Sequence, residues 1–544
     1  MYIRKTQSRN STCFQIGKKE QGRFKLIKHV GCAQDPAELE AVRLKAHKEL
    51  LQLRLRNQLS LFPQTISPKA KLISWQITGF HQIFGSVYDG IGFPPNLLRD
   101  LVIARIVYPG SKLATVRYLN DALGIPVSRN TVYRFLDTLD KEQLTRIAYQ
   151  FVAHRHRQQL TLIFYDVTTL YFETATEDQL RSKGYSKDHR HDMPQILIGL
   201  FVDQDGYPFD FDFFEGKTFE GHTLPKMVTY LKSKYTWKQL TIVADAGMLS
   251  QDNLAFLDSQ GIGYIVGARL KNLPQTLKDA ITTHEYTKAK VLETQYQGRR
   301  LLVDYSIKRA KRDQANRDRK IKKLRQKLEK KQSLVSKSKY LKTKGENRVV
   351  GIDEAKVLED AQYDGLKGYL TNQQSQLPHQ TIISHYHNLW QVEKAFRMSK
   401  HDLQERPVYH SKPQRIKAHL TLCFVSLLVM KETERILNLN QYSLKQAIKQ
   451  LNQVGQGKIR IGKTTVELES ELDEETQSLL SIFAGHWKGK VRRKVMKPPL
   501  RHPELVSGSE ASRFRNKFGM TKPPRNLKKK SHLENLRRLW IAQR

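Results

Sequence analysis

A stretch without proline or glycine reads Ser384-His-Tyr-His-Asn-Leu-Trp-Gln-Val-Glu-Lys-Ala-Phe-Arg-Met-Ser-Lys400. Its residue types recur at helical spacing, which predicts one helix. At about 100° per residue, the side chains of Leu389, Val392, Phe396 and Leu403 form a narrow apolar stripe. We expect this stripe to be buried in the core.

Polar side chains follow the same helix beside the stripe. Tyr386, Glu393, Arg397 and Lys400 lie seven and then four or three residues apart, and Trp390 lies on the far flank of this band. One carboxylate among cationic and hydrogen-bonding groups is a plausible metal ligand whose neighbours bind phosphates. The alternative is an ordinary amphipathic helix with solvated Glu and Lys side chains.

Two aspartates elsewhere in the chain lie in apolar segments whose sequences are typical of β-strands. Asp166 is the one charge in residues 160–172, and Asp245 ends the buried strand predicted for residues 239–247. A carboxylate inside a central strand is costly unless it has a partner, so a functional role is favoured over a structural ion pair for Asp166. Asp166 and Glu393 are therefore candidate functional carboxylates.

The order of Tyr386, Glu393 and Lys400 resembles the Y-x2-R-x3-E-x6-K pattern of IS4-type DDE transposases, the enzymes that move bacterial insertion sequences. The flanking sequence is similar to that of members of the IS1634 branch of this family. Leu389 stands where the family has Arg. Because Leu389 lies in the centre of the apolar stripe, we expect it to pack inward and Arg397 to supply the missing charge.

The resemblance implies a DNA transposase that binds terminal inverted repeats, cleaves the ends by hydrolysis and joins them to target DNA. Asp166, Asp245 and Glu393 are then the catalytic residues and the ligands of two Mg²⁺ ions about 3.5–4 Å apart, for which Mn²⁺ is expected to substitute. Tyr386 and Lys400 would hold the backbone phosphate beside the scissile bond. Trp390 either stacks on an unpaired base or packs against the protein.

The predicted elements from residue 159 onward are three strands, a helix, a strand, a helix, a strand and finally the helix of Tyr386. By resemblance this is the order of an RNase H-like α/β core, a mixed sheet flanked by helices. A β/helical subdomain is inserted into the core, and a mainly helical DNA-binding part precedes it. The basic helix in the insertion is either exposed to solvent without a partner or binds DNA.

The predicted domain boundaries follow shifts in composition and pattern. They give a β-hairpin and basic helix (1–60), a helix-turn-helix-like region (61–155), the first part of the core (156–270), the insertion (271–365), the second part of the core (366–435), a C-terminal helical region (436–495) and a basic flexible tail (496–544).

A helix-turn-helix layout is predicted around Gly124-Ile-Pro126. Its second helix begins at the capping residue Ser128 and carries Arg129, Asn130 and Arg134, which are candidates for DNA contact. Any two-helix hairpin has a similar pattern, so the assignment depends on the charge of the chain as well.

The 544 residues include 93 Lys and Arg against 53 Asp and Glu, a formal charge of +40. This excess favours a polyanion as partner, here double-stranded DNA, although ribosomal and membrane-surface proteins share the property. Cys13, Cys32 and Cys423 are far apart and lack any C-x-x-C spacing, which favours reduced thiols in the cytoplasm. The N-terminus has no apolar run typical of a signal peptide. We therefore expect a cytoplasmic, nucleoid-associated bacterial protein.

Two alternatives stay open. A metal-dependent nuclease or resolvase of the same fold would cut DNA without joining it. A transposase remnant that binds DNA after losing catalysis would also fit, because Leu389 departs from the family pattern. For an active transposase, the resemblance implies a homodimer that bridges two DNA ends.

Overall fold

The computed structural model describes residues 1–486 apart from short gaps. The gaps are residues 9–10, 21, 60–69, 175, 186–189, 249, 287–289, 331–337, 345–347, 374–376, 407, 409 and 462–463. The predicted tail (496–544) lies outside the described residues. The chain forms two compact units, of which the first contains residues 1–73 and 458–467 and the second contains residues 74–457 and 468–492, as far as these are described.

The N-terminal part of the first unit is a small sheet covered by one helix. Its elements are β1 (Tyr2–Ser8), β2 (Ser11–Glu20), β3 (Arg23–Ala33) and α1 (Pro36–Leu59). The three strands are antiparallel in the order β1-β2-β3, and Phe14, Ile16 and Val30 pack against Ala46 and Leu50 of α1. The predicted hairpin is therefore a three-stranded sheet, because β1 pairs with the free edge of β2 and satisfies its backbone groups.

The prediction of reduced cysteines is wrong for two of the three residues. Cys13 on β2 lies directly opposite Cys32 on β3, and the two form a disulfide. Sequence spacing does not show this pairing because the two residues are brought together only by the strand register. Cys423 is a free, buried thiol, as predicted.

The next region of the chain is mainly helical. Its elements are β4 (Ala70–Ile77), a π-helical turn (His81–Gly85), α2 (Ser86–Ile91), α3 (Leu97–Val107), α4 (Lys112–Asp121), α5 (Arg129–Leu136) and α6 (Lys141–Arg155). The predicted helix pair is present as α4 and α5. The hydroxyls of Ser111 and Ser128 accept hydrogen bonds from the amides of Ala114 and Thr131, which fixes where each helix begins.

The next region contains the central sheet. The strands are β5 (Leu162–Tyr171), β6 (Gln195–Asp203), β7 (Pro208–Glu215), β8 (Thr241–Ala244), β9 (Gly263–Ala268), β10 (Val291–Tyr296), β11 (Arg299–Tyr305), β12 (Leu341–Lys344), β13 (Arg348–Ile352) and β14 (Leu366–Thr371). Eight of them form one mixed sheet in the order β10-β11-β14-β9-β8-β5-β6-β7, and β12 and β13 pair separately. β8 is parallel to both β5 and β9, and the other neighbours in this sheet are antiparallel.

Helices flank this sheet. They are α7 (Thr223–Lys234), α8 (Gln251–Ser259), α9 (Gln275–Thr283), α10 (Ile307–Glu329), α11 (Glu354–Ala361), α12 (His379–His387), α13 (Trp390–Arg397) and α14 (Pro413–Leu439). The predicted α/β class and element order are confirmed. β10 and β11, which were predicted as part of the insertion, instead extend the central sheet through β14, because their apolar side chains complete its core.

The helix predicted over residues 384–400 is divided. α12 ends at His387, a turn at Asn388 and Leu389 follows, and α13 continues into a π-helical segment, Met398–Asp402. The amide of Leu389 bonds to the carbonyl of Tyr386, one residue closer than in an α-helix, which tightens the chain there. The predicted apolar stripe is nevertheless buried, since Leu389, Val392, Phe396 and Leu403 are all at most 7% exposed.

The C-terminal part of the described chain follows α14. Its elements are α15 (Leu444–Leu451), β15 (Gly455–Ile461), β16 (Thr464–Glu469) and α16 (Glu474–His486). The apolar run Leu420–Met430 lies in α14, whose side chains there are buried in the core. None of the described helices is long and apolar enough to cross a membrane.

A buried ion pair ties α6 to the end of β6. His156 Nε2 lies 2.8 Å from a carboxylate oxygen of Asp203, which is fully buried. This pairing raises the pKa of His156 above its ordinary value of 6.5. Because the folded-state pKa is raised, the pair stabilises the fold below the unfolded-state pKa, and this contribution is lost as pH rises through the folded-state pKa.

We expect His156→Gln to lower the free energy of unfolding by about 2 kcal/mol near pH 6 and by less near pH 9. Urea denaturation at both pH values measures the difference. His154→Gln, an exposed change on the same helix, should have little effect at either pH. A loss for His156→Gln that grows with pH would contradict the assigned ion pair.

Candidate active site

Strand register places the first two predicted carboxylates side by side. β5 and β8 are parallel, and Tyr165 pairs with Ala244 at the end of their shared ladder. Asp166 and Asp245 are the residues that directly follow this pair in the chain, so they occupy equivalent positions at the end of β8, where the pairing between β5 and β8 stops. Each carboxylate accepts a 2.8 Å hydrogen bond from the following amide, of Val167 and Ala246 respectively.

The face of the sheet that carries Asp166 follows from strand alternation. The hydroxyl of Tyr165 donates to Thr223 on α7, so Asp166 points to the opposite face. Across β6, Asp166 is in register with Phe211, whose ring stacks on Phe424 of α14 at 4.8 Å. Asp166 therefore faces the side covered by α14.

α13 brings the third carboxylate to this side of the sheet. The helix packs on β5 and β6, with Val392 fully buried and Glu393 exposed. Lys394 donates to both carboxylate oxygens of Glu434 on α14, at 3.0 and 2.9 Å. This anchor and the buried stripe fix the direction in which Glu393 projects.

Tyr386 connects the helix to the second carboxylate. Its hydroxyl donates to Asp245 at 3.1 Å, and its ring is buried. Burial raises the pKa of Tyr386, and the negative charges of Asp245 and Glu393 raise it further. The charge of Glu393 thus raises the pKa of the same hydroxyl that donates a hydrogen bond to Asp245.

A glycine provides the space for this contact. A Cβ at Gly267 on β9 would lie 2.5 Å from the hydroxyl oxygen of Tyr386. The lack of a side chain at this position therefore lets the phenol pass over β9 to reach Asp245.

The other residues predicted on this helix lie along the same segment. Arg397 is exposed, Lys400 is half-buried in the π-helical segment, and Trp390 is 49% exposed, so its ring is open to a ligand. Leu389 is buried as predicted. The buried side chain of Arg105 contacts the carbonyls of Leu403 and Gln404, which supports the end of the segment.

The predicted DNA-reading residues lie on a different element. Arg129, Asn130 and Arg134 are all exposed on α5, which packs against α4 and α14. The structure does not bring them together with the three carboxylates through any described contact.

A cavity of about 540 Å³ opens beside Asp245 and Tyr386. Lys367 of β14 lies on its wall, with its Nζ 4.4 Å from the centre of the Tyr386 ring. Burial lowers the pKa of Lys367, and the nearby Arg309 lowers it further, whereas Asp245 and Asp304 act against this change. Sequence reasoning missed Lys367 because a single lysine at the start of a strand carries no motif.

The insertion supplies the opposite wall of this cavity. Asp313, Asn316, Arg317 and Lys320 of α10 line it. Arg317 pairs with Asp364 at 2.5 Å, and Asp360 accepts from Lys271, Lys339 and Tyr340. These acidic side chains are thus neutralised within the wall, whereas Lys367 and Lys320 form no ion pair with a described residue.

The donor set of the three carboxylates suits a divalent cation. All of its atoms are oxygen, the ligand that Mg²⁺ and Mn²⁺ prefer. Within the described residues, the three carboxylates do not form a group whose ligand atoms all lie within 4.8 Å of one another. Like charges repel in the absence of a cation, which is a physical reason for them to stand further apart.

Residues 157–429, half of the chain, match the family model described as the transposase DDE domain. The chain belongs to this family. The matched region contains Asp166, Asp245, Glu393 and every strand of the central sheet. DDE transposases use divalent metal ions, which agrees with the oxygen donors of the site.

Solved transposase structures are similar at low identity. A cryo-electron microscopy structure of the piggyBac transposase synaptic complex with hairpin DNA is 9% identical, with 69% of this chain and 76% of that chain covered and a TM-score of 0.36. The Mos1 transposase paired-end complex is 10% identical, with 32% and 60% covered and a TM-score of 0.15. No curated protein matches the chain.

We expect Gly267→Ala to displace the Tyr386 hydroxyl and lower the free energy of unfolding by about 1–2 kcal/mol. Without the hydroxyl, the contact at 2.5 Å disappears and the ring Cζ at 3.2 Å becomes the nearest atom of residue 386 to the added Cβ. The combined change Gly267→Ala with Tyr386→Phe should therefore cost less than the sum of the two single changes. Urea denaturation of the four proteins measures this coupling.

Gly351→Ala is the matched control, because a Cβ there meets nothing within 4 Å. Additive free energies for Gly267→Ala and Tyr386→Phe would show that the glycine does not position the hydroxyl.

Proposed function

We propose that the protein is a DDE transposase of the IS4 family, IS1634 branch, with an RNase H-like core. It binds the terminal inverted repeats of an insertion sequence, cleaves the DNA ends by metal-assisted hydrolysis and joins them to target DNA. One observation supports this most directly: the parallel register of β5 and β8 sets Asp166 beside Asp245 within the matched DDE domain.

Asp166, Asp245 and Glu393 would hold two Mg²⁺ ions, with Mn²⁺ able to substitute. Such ions would activate a water molecule or a 3′-hydroxyl and stabilise the leaving oxygen. The protein itself would hold the three carboxylates in position. The sheet holds two carboxylates, and the anchored helix α13 presents the third from the side of α14.

Groups around the carboxylates would orient the DNA. Tyr386 holds Asp245 through its hydroxyl, and with Lys400 it contacts the phosphate next to the scissile bond. Arg397 takes the place of the family Arg, since Leu389 is buried in the core and cannot reach a phosphate. The half-exposed Trp390 stacks on an unpaired base.

The cavity beside Asp245 would contact the DNA backbone close to the carboxylates. Lys367 and Lys320 face it and form no ion pair with a described residue. Each can therefore bind a phosphate without breaking an ion pair within the described part of the protein. This makes α10 a DNA-contacting helix. Arg129, Asn130 and Arg134 on α5 would contact the terminal repeats.

In this proposal the active species is a homodimer on two DNA ends, acting in the cytoplasm at the nucleoid.

The deciding experiment is cleavage of a labelled DNA fragment with the element's own ends, with Mg²⁺ or Mn²⁺. We expect the wild type to nick at the ends and Glu393→Gln to lose at least about 100-fold in rate with DNA binding retained. Glu475→Gln, an exposed change on α16, is the matched control.

The rival functions predict other outcomes. Nicking without strand transfer from pre-cut ends would indicate a nuclease or resolvase. Binding without nicking under either metal would indicate a remnant that has lost catalysis.

We expect Lys367→Gln and Arg397→Ala each to raise the dissociation constant for end DNA about three- to tenfold. Each should also reduce the slope of log affinity against log salt by about 1, because one phosphate contact is lost. Binding titrations at several salt concentrations measure both quantities. Lys445→Gln, an exposed change on α15, controls for net charge. If either variant matches this control, its phosphate contact is wrong.

A further inference from the structure

Three metal-binding side chains converge on the small sheet of the first unit. Cys13 lies on β2, and His29 and Cys32 lie on β3. Their ligand atoms all lie within 4.8 Å of one another, and His29 Nε2 is 3.5 Å from Cys32 Sγ. The buried side chains Phe14 and Ile16 alternate with Cys13 along β2 and face α1, so the cysteines lie on the other face of the sheet.

A β-bulge creates this cluster. His29 and Cys32 are three residues apart, a spacing that puts side chains on opposite faces of a regular strand. In the register of β2 and β3, Cys13 pairs with Cys32, Phe14 with Gly31, and Gln15 with His29. Val30 is therefore an extra residue, and it turns His29 onto the face of the two cysteines.

The chemistry of the cluster differs from that of the carboxylates. Two thiolates and an imidazole are ligands for a thiophilic cation such as Zn²⁺, whereas Mg²⁺ prefers oxygen. His29 and Cys32 are exposed, and Cys13 is half-buried. A cation from solvent can therefore reach all three atoms, which would supply three of the four ligands of a tetrahedral site.

We propose that the reduced first unit binds one Zn²⁺ ion through Cys13, His29 and Cys32. Reduction of the disulfide by an external thiol or phosphine reductant adds two electrons and two protons and gives two thiols. Zn²⁺ binding then displaces both thiol protons to solvent and leaves His29 neutral. Because the same two sulfur atoms form either the disulfide or the metal bonds, the two states exclude each other.

Co²⁺ titration of the full-length protein tests this proposal, because Co²⁺ bound by thiolates absorbs in the near ultraviolet through sulfur-to-metal charge transfer and carboxylate-bound Co²⁺ does not. We expect one equivalent of this absorption after phosphine reduction, and displacement of the Co²⁺ by Zn²⁺. The oxidised protein should show none. The readout is independent of DNA cleavage and of the three carboxylates.

Variants identify the ligands. Cys32→Ser should weaken the charge-transfer band, the double change Cys13→Ser with Cys32→Ser should abolish it, and His29→Gln should weaken Co²⁺ binding at least about tenfold. Cys423→Ser, which changes the buried thiol of α14, and Glu393→Gln should leave the band intact. The far-ultraviolet circular dichroism of each variant checks that it is folded. The proposal is overturned if the reduced wild type shows no band, or if the band persists in the folded protein that lacks both Cys13 and Cys32.

Discussion

The parallel pairing of β5 with β8 is the constraint on which the candidate active site depends. It sets the positions of Asp166 and Asp245, which are 79 residues apart in the chain. β5 is buried on both faces, so a shift of its register would move apolar side chains as well as the carboxylate. The packing of the core therefore fixes the geometry of the site.

The divided helix α12–α13 is the second half of the same arrangement. α12 packs on β8, β9 and β14, whereas α13 packs on β5 and β6. The turn between them lets one segment contact the strands on both sides of the end of β8, with the Tyr386 hydroxyl bonded to Asp245 and α13 packed on β5 and β6. The ion pair between Lys394 and Glu434 ties this segment to α14, whose residues Leu420–Met430 are all buried.

The insertion is continuous with this site. β10 and β11 extend the central sheet through β14, and α10 forms a wall of the cavity beside Asp245. Arg317 and Asp364 hold that wall through an ion pair between α10 and the loop before β14. A single framework thus supports the carboxylates, Lys367 and the basic helix.

The sequence by itself determined the α/β class, the order of the elements and the candidate carboxylates. Hydrophobic periodicity is a local signal, which is why the buried stripe around Leu389 was predictable. A charge within an apolar strand is also a local signal, and it makes Asp166 a candidate. Only the tertiary structure decided the β5–β8 register, the place of β10 and β11, the approach of Lys367 to Tyr386, and the bulge that gathers Cys13, His29 and Cys32. These features depend on pairings between strands distant in the chain, and local residue patterns do not specify such pairings.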